Sequence, residues 1–86
     1  MNSNSKNINI TITYCVPCDY SDYAIMVTQE LIKNFQHDIK NLTLVTGSKG
    51  IFEVKANDEI IYSKKELGRF PESGELVDRF TEKMFE

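Results

Sequence analysis

Across the tetrapeptide Cys15-Val16-Pro17-Cys18 the apolar period of the chain changes from two residues to between three and four. Before it, Ile8, Ile10 and Ile12 alternate with Asn9, Thr11 and Thr13 as far as Tyr14, the pattern of a half-buried β-strand. After it, Tyr20, Tyr23, Ala24, Val27, Leu31 and Phe35 form one stripe, widened by Ile25 and Ile32. That spacing predicts a helix from about Asp19 to Gln36 lying on a sheet. Asp19 and Asp22 fall in its predicted first turn, where carboxylates favour the helix dipole. A strand that runs directly into a covering helix opens a βαβ unit, and the rest of the chain has to complete it.

Leu42 and Leu44 alternate within 41–46 and predict a second strand, parallel to the first because the intervening helix makes the crossover long enough. Thr46-Gly47-Ser48-Lys49-Gly50 reads as a turn, and 51–56 as a third strand with Phe52 and Val54 on one face, both core residues. Asn57-Asp58 supplies hairpin chemistry, and Ile60, Ile61 and Tyr62 carry a fourth strand over 59–64. Gly68-Arg69-Phe70-Pro71 breaks the chain, and Pro71 and Ser73 suit the start of a last helix over 72–85 with Leu76, Val77, Phe80 and Met84 buried. The expected architecture is α/β: one domain over 1–86, a mixed four-stranded sheet and two helices, with 1–7 a short tail. At 86 residues such a domain buries roughly two thirds of its surface.

Composition narrows the function. With 41% hydrophobic residues and a net charge of −3, disorder is excluded, and Lys and Arg are too scattered to form a nucleic-acid footprint. No apolar run approaches the ~20 residues of a membrane helix, and the first residues lack the apolar core of a secretory signal. A cytoplasmic protein with no nucleic-acid or membrane partner is expected.

The only two cysteines lie within that one tetrapeptide. A bridge across two residues constrains the unfolded chain little, so in a reducing compartment the pair reads as catalytic, redox-sensing or metal-binding rather than structural. Zinc requires four ligands, and two thiols with the distant His37, read as a surface residue at a helix end, fall short. Residues three apart in a first helical turn place their Cα atoms within the disulfide range of about 4.4–6.8 Å. The unpaired amides of that turn would stabilise a thiolate, the species that attacks disulfides. Pro17 stiffens the loop without loss of a helical hydrogen bond. Asp19 and Asp22 would oppose a thiolate, and Lys49, in a turn at the same end of the sheet, is the candidate cation to offset them. Tyr20 and Tyr23 lie near the thiols, with core packing favoured over a substrate-lining role. Phe70 and Pro71 read as helix initiation, with partner docking as the alternative.

Three segments together are similar to the selenoprotein W-like, or Rdx, family. They are Tyr14-Cys15-Val16-Pro17-Cys18, the run Thr46-Gly47-Ser48-Lys49-Gly50-Ile51-Phe52-Glu53-Val54, and Ile60-Ile61-Tyr62-Ser63-Lys64 followed by Gly68-Arg69-Phe70-Pro71. They span nearly the whole chain in the family's order. The resemblance implies a thioredoxin-like fold and a thiol-based antioxidant or glutathione-linked role. Cys15 and Cys18 are the expected catalytic pair, with Lys49, Tyr14, Pro17 and Phe70 as candidate thiolate-stabilising or partner-facing positions, no resident cofactor, and glutathione or a protein thiol as partner. Some relatives carry selenocysteine at the position of Cys18, which marks that sulfur as the reactive one and Cys15 as its resolving partner. Thioredoxin-type pairs favour the first thiol instead, so both assignments stand. Thioredoxins proper also face the pair with a cis-proline, where this chain has the Gly47–Gly50 turn. A redox-sensitive interaction module without turnover is the alternative to an oxidoreductase.

Overall fold

Alternation in one strand organises the molecule. In the computed structural model, which describes residues 6–85, β1 (Ile8–Cys15) lies inside a four-stranded sheet ordered β2-β1-β3-β4. It pairs in parallel with β2 (Ile39–Gly47) and antiparallel with β3 (Phe52–Ala56), which pairs antiparallel with β4 (Glu59–Ser63). Ile8, Ile10 and Ile12 are fully buried together with Phe52, Val54 and Ala56, so one face of the sheet carries the core. α1 (Ser21–Phe35) covers β1 and β2 with Ala24, Val27 and Leu31, and α3 (Glu75–Phe85) covers β4 with Leu76 and Phe80. Each large aliphatic side chain so buried contributes about 1.5–3 kcal/mol. The mixed α/β sheet is the one the sequence predicts.

Element boundaries differ in ways that matter for the site. α1 begins at Ser21, not Asp19. The chain first makes a β-turn in which the Asp19 N–H donates to the Val16 carbonyl at 2.9 Å, with Pro17 at the position its fixed φ suits. Asp19 itself has φ 62° and belongs to no helical turn. α1 ends at Phe35 and a single 3₁₀ turn, Gln36–Asp38, follows, with His37 exposed. β2 runs through Thr46 and Gly47, which lie opposite Tyr14 and Cys15. A turn over Ser48–Ile51 then carries the chain from β2 to β3, on the other side of β1, with φ 60° at Lys49 and 79° at Gly50.

Asn57 and Asp58 form the predicted hairpin turn, both at positive φ. The fourth strand stops at Ser63, whose Oγ accepts the Glu66 N–H and caps a four-residue helix, α2 (Lys64–Leu67), closed by Gly68 at φ 74°. The last helix starts at Glu75 rather than Glu72. Residues 72–75 form a turn in which the Glu75 N–H donates to the Glu72 carbonyl, and Pro71 is buried ahead of it.

Candidate redox site

Cys15 closes β1 and Cys18 sits on the turn three residues before α1, so neither belongs to a helical first turn as the sequence reading had them. The β-turn brings them together all the same. Their Cα atoms are 5.3 Å apart and the sulfurs form a disulfide. The amides that follow are already engaged, Asp19 N–H with the Val16 carbonyl and Tyr20 N–H with the Cys15 carbonyl at 3.2 Å.

The two cysteines differ sharply in access. Cys15 has 0% exposure, whereas Cys18 is exposed with Val16 and Pro17 beside it. Strand order is what encloses Cys15. Because β2 and β3 flank β1, the connection between them passes over the end of β1 and clips it from both sides. The Cys15 N–H donates to the Ile51 carbonyl at 2.9 Å and the Val16 N–H to the Gly47 carbonyl at 3.0 Å. Gly47 is required at this crossing, since a Cβ there would lie 2.7 Å from Ile51 Cγ2 and 3.3 Å from Thr13 Cγ2.

An aromatic wall stands on the α1 side. Phe70 stacks on Tyr23 at 3.9 Å between centroids and meets Tyr20 edge-on at 4.6 Å, with Phe52 behind them. Lys64 Nζ lies 5.1 Å from the Phe70 ring centre and 5.6 Å from that of Tyr20. The segment carrying Phe70 is held by a clasp. Arg69 donates to both carboxylate oxygens of Glu75 at 2.7 and 2.8 Å, Arg79 adds a third bond at 2.8 Å, and the Glu72 N–H a fourth. These donors hold the Glu75 carboxyl down at about 2, below its ordinary 4.5, with the Arg69 hydrogen bond the main cause. The buried Tyr62 hydroxyl donates to the Arg69 carbonyl, and burial raises its pKa.

The sequence-predicted residues therefore separate. Pro17 is exposed at the turn beside Cys18, and Phe70 is half-buried in the wall rather than at a helix start. Tyr20 packs partly against the core, while Tyr23 remains 36% exposed. Tyr14 packs against the core within β1. Lys49 is exposed on the crossing turn, at the predicted end of the sheet, and lines a hollow of about 500 Å³ with Ser48, Ile51, Phe52, Glu53 and Lys65. Lys64 and the Glu75 clasp escaped the sequence reading. The Ser63-x-x-Glu66 spacing ahead of Gly68 was the one local signal for α2, the helix that Lys64 begins.

Comparison with known proteins agrees with this geometry. The Rdx family model matches residues 9–82. A crystal structure of a Bordetella parapertussis protein superimposes with a TM-score of 0.84 at 30% identity, covering 90% of this chain and 98% of that one. A selenoprotein W-related protein from Vibrio cholerae gives a TM-score of 0.84 at 29% identity, covering 91% and 98%. The fold is thus the thioredoxin-like α/β fold of selenoprotein W-related proteins. Migration and invasion enhancer 1 of Mus musculus is 26% identical over 75 residues, 85% of this chain and 62% of that protein. The Bos taurus protein of the same name is 26% identical over 73 residues, 83% and 60%. The chain spans about three fifths of the length of these curated relatives.

Proposed function

The chain belongs to the Rdx family, and on that premise we propose that it is a thiol–disulfide oxidoreductase whose attacking sulfur is Cys18. The observation that carries this reading is the asymmetry of access, an exposed Cys18 bridged to a fully buried Cys15. An attacking thiolate must reach an incoming disulfide along the axis of the bond it breaks, and an enclosed sulfur can reach only a bond already held beside it, such as one on Cys18.

In the reduced pair, the Cys18 thiolate attacks a substrate disulfide, forms a mixed disulfide and expels one thiolate. Cys15 then attacks the Cys18 sulfur, releases the second substrate thiolate and leaves the Cys15–Cys18 bridge. Two electrons have passed to the substrate. Two glutathione molecules restore the dithiol by the reverse exchanges and leave as glutathione disulfide. Backbone movement should be small, because the β-turn between the cysteines keeps their Cα atoms 5.3 Å apart, within disulfide range. Lys49 supplies positive charge on the turn that crosses the site, against Asp19 and Asp22. A reducing compartment such as the cytoplasm suits this cycle.

The test is to trap the intermediate. Cys15→Ser incubated with glutathione disulfide accumulates a mixed disulfide on Cys18, visible as a single glutathione adduct by mass spectrometry, whereas Cys18→Ser does not. Trapping in Cys18→Ser alone reverses the assignment, and trapping in neither ends the reading. Lys49→Ala raises the pKa of the reactive thiol, followed by thiolate absorbance.

A further inference from the structure

Charge around the cysteine turn is divided. Cys18 is followed by Asp19 and, in the first turn of α1, by Asp22, both exposed. The crossing turn over Ser48–Ile51, by contrast, borders the hollow of about 500 Å³, whose charged rim is Lys49, Lys65 and Glu53, with Ile51 and Phe52 as its apolar lining. Small-molecule sites run from ~300 to ~1,000 Å³, so the hollow has room for a tripeptide. Both ion pairs among the described residues belong to Glu75, so none of these three charges is neutralised by a neighbour. A smaller groove of about 310 Å³ between β4 and α3 also presents two cations and an acid, but its Arg79 is already bonded to Glu75.

The hollow is attached to the dithiol by the chain itself. The Ile51 carbonyl accepts the Cys15 N–H, and the Gly47 carbonyl, one residue before Ser48, accepts the Val16 N–H. Tyr20, two residues beyond Cys18, extends its hydroxyl to within 3.9 Å of the place a Cβ on Gly50 would occupy. Lys64, next in sequence to Lys65, stands over that same ring at 5.6 Å from its centre. The turn that encloses Cys15 is therefore also a wall of the hollow. A ligand joined to Cys18 and extended along this turn meets lysines.

Given the thiol–disulfide cycle proposed above, on which this rests, we infer that the hollow seats glutathione and that Lys49 and Lys65 select it. Glutathione carries two carboxylates and one ammonium at neutral pH, the inverse of two lysines and one glutamate. Lys49 and Lys65 take the carboxylates and Glu53 the ammonium, while Asp19 and Asp22 turn the same anionic ligand away from α1. The seated glutathione thiolate attacks the Cys18 sulfur, and the Cys15 thiolate leaves. A second glutathione thiolate attacks the sulfur of the seated one, departs with it as glutathione disulfide and frees the Cys18 thiolate. The two glutathione thiols give up two protons, which the dithiol and solvent take. Selection by charge favours carboxylate-bearing thiols and disulfides over neutral ones.

Two measurements test this. S-methylglutathione, which cannot exchange, is titrated into the oxidised full chain while amide shifts are followed by NMR, and saturable shifts confined to 48–53 and 64–66 are expected. Cys15→Ser, alone and combined with Lys65→Glu or Lys33→Glu, is then mixed with glutathione disulfide and separately with hydroxyethyl disulfide, which is neutral. The ratio of the two rates of mixed-disulfide formation on Cys18 should fall about tenfold with Lys65→Glu. Lys33→Glu makes the same change of charge in the last turn of α1 and should leave the ratio in place. Lys65 and Lys33 are both exposed, and circular dichroism checks that each variant folds. Shifts that are absent or lie elsewhere, a ratio untouched by Lys65→Glu, or one that Lys33→Glu lowers equally overturns the inference. Saturable shifts at the hollow with exchange of neither disulfide would end the oxidoreductase reading and leave the glutathione seat standing.

Discussion

Gly47 and Cys15 form one device at the scale of single residues. The Gly47 carbonyl accepts the Val16 N–H, and the side chains of Ile51 and Thr13 leave no room there for a Cβ. Gly47→Ala forces Ile51 or Thr13 to shift within a packed crossing, and overpacking of this kind costs about 1–3 kcal/mol. Urea denaturation should show that loss. The same variant should admit solvent to Cys15, so that iodoacetamide labels the reduced Cys15 faster than in the parent. Loss of stability with no change in labelling would mean that the turn braces the sheet without guarding the sulfur. Phe70 is the corresponding residue on the other side of the site. Phe70→Ala removes the ring against which Tyr20 and Tyr23 pack, with a cost of about 1–3 kcal/mol beyond any effect on exchange, since aromatic pairs add to simple burial. Denaturant midpoints measure the first effect and glutathione exchange rates the second.

At the scale of elements, the Glu75 clasp ties the segment bearing Phe70 to the start of α3. Glu75 titrates at about 2 in the folded chain against an ordinary 4.5, so the folded state binds its proton less readily than the unfolded one. The resulting stability is fully present above about 4.5 and is lost as pH falls toward about 2. Arg69 is 44% exposed, and solvent screening limits the contribution to about 1 kcal/mol. Glu75→Gln should lower the unfolding free energy measured in urea by that amount at neutral pH. The deficit should shrink through the acid window, and a constant deficit would show that shape rather than charge holds the clasp.

The clasp also shows which features were legible in the sequence. Ile8, Ile10 and Ile12 announced β1, and Asn57-Asp58 the hairpin, because both patterns are local. The start of α1 was misplaced because the Asp19–Val16 hydrogen bond belongs to a turn that helical periodicity cannot register. The cysteine pair was legible, but the burial of Cys15 was not, since it follows from strand order and the crossing this imposes. Tyr23 was placed on the helix correctly, whereas Tyr20 lies one residue ahead of it. Periodicity alone could not place Phe70 beside them, because it returns from a segment about fifty residues away.

For the molecule as a whole, the question is how far the fold depends on the bridge. The core is built from β1, β3, β4, α1 and α3, with Ile10, Val27, Phe52, Leu76 and Phe80 among its buried side chains, and the disulfide closes a loop of only four residues. Loop-closure entropy for so short a loop is worth about 2 kcal/mol, a minor share beside the burial of that core. The reduced chain should therefore keep its circular dichroism spectrum and unfold cooperatively in urea, with a free energy lower by no more than about 2 kcal/mol than that of the oxidised chain. A redox cycle demands this, because a protein that unfolds whenever its bridge opens cannot return the pair to register for the next turnover. If dithiothreitol abolishes the cooperative transition, the bridge is a staple, and the exposed Cys18 is only the accessible end of a structural bond.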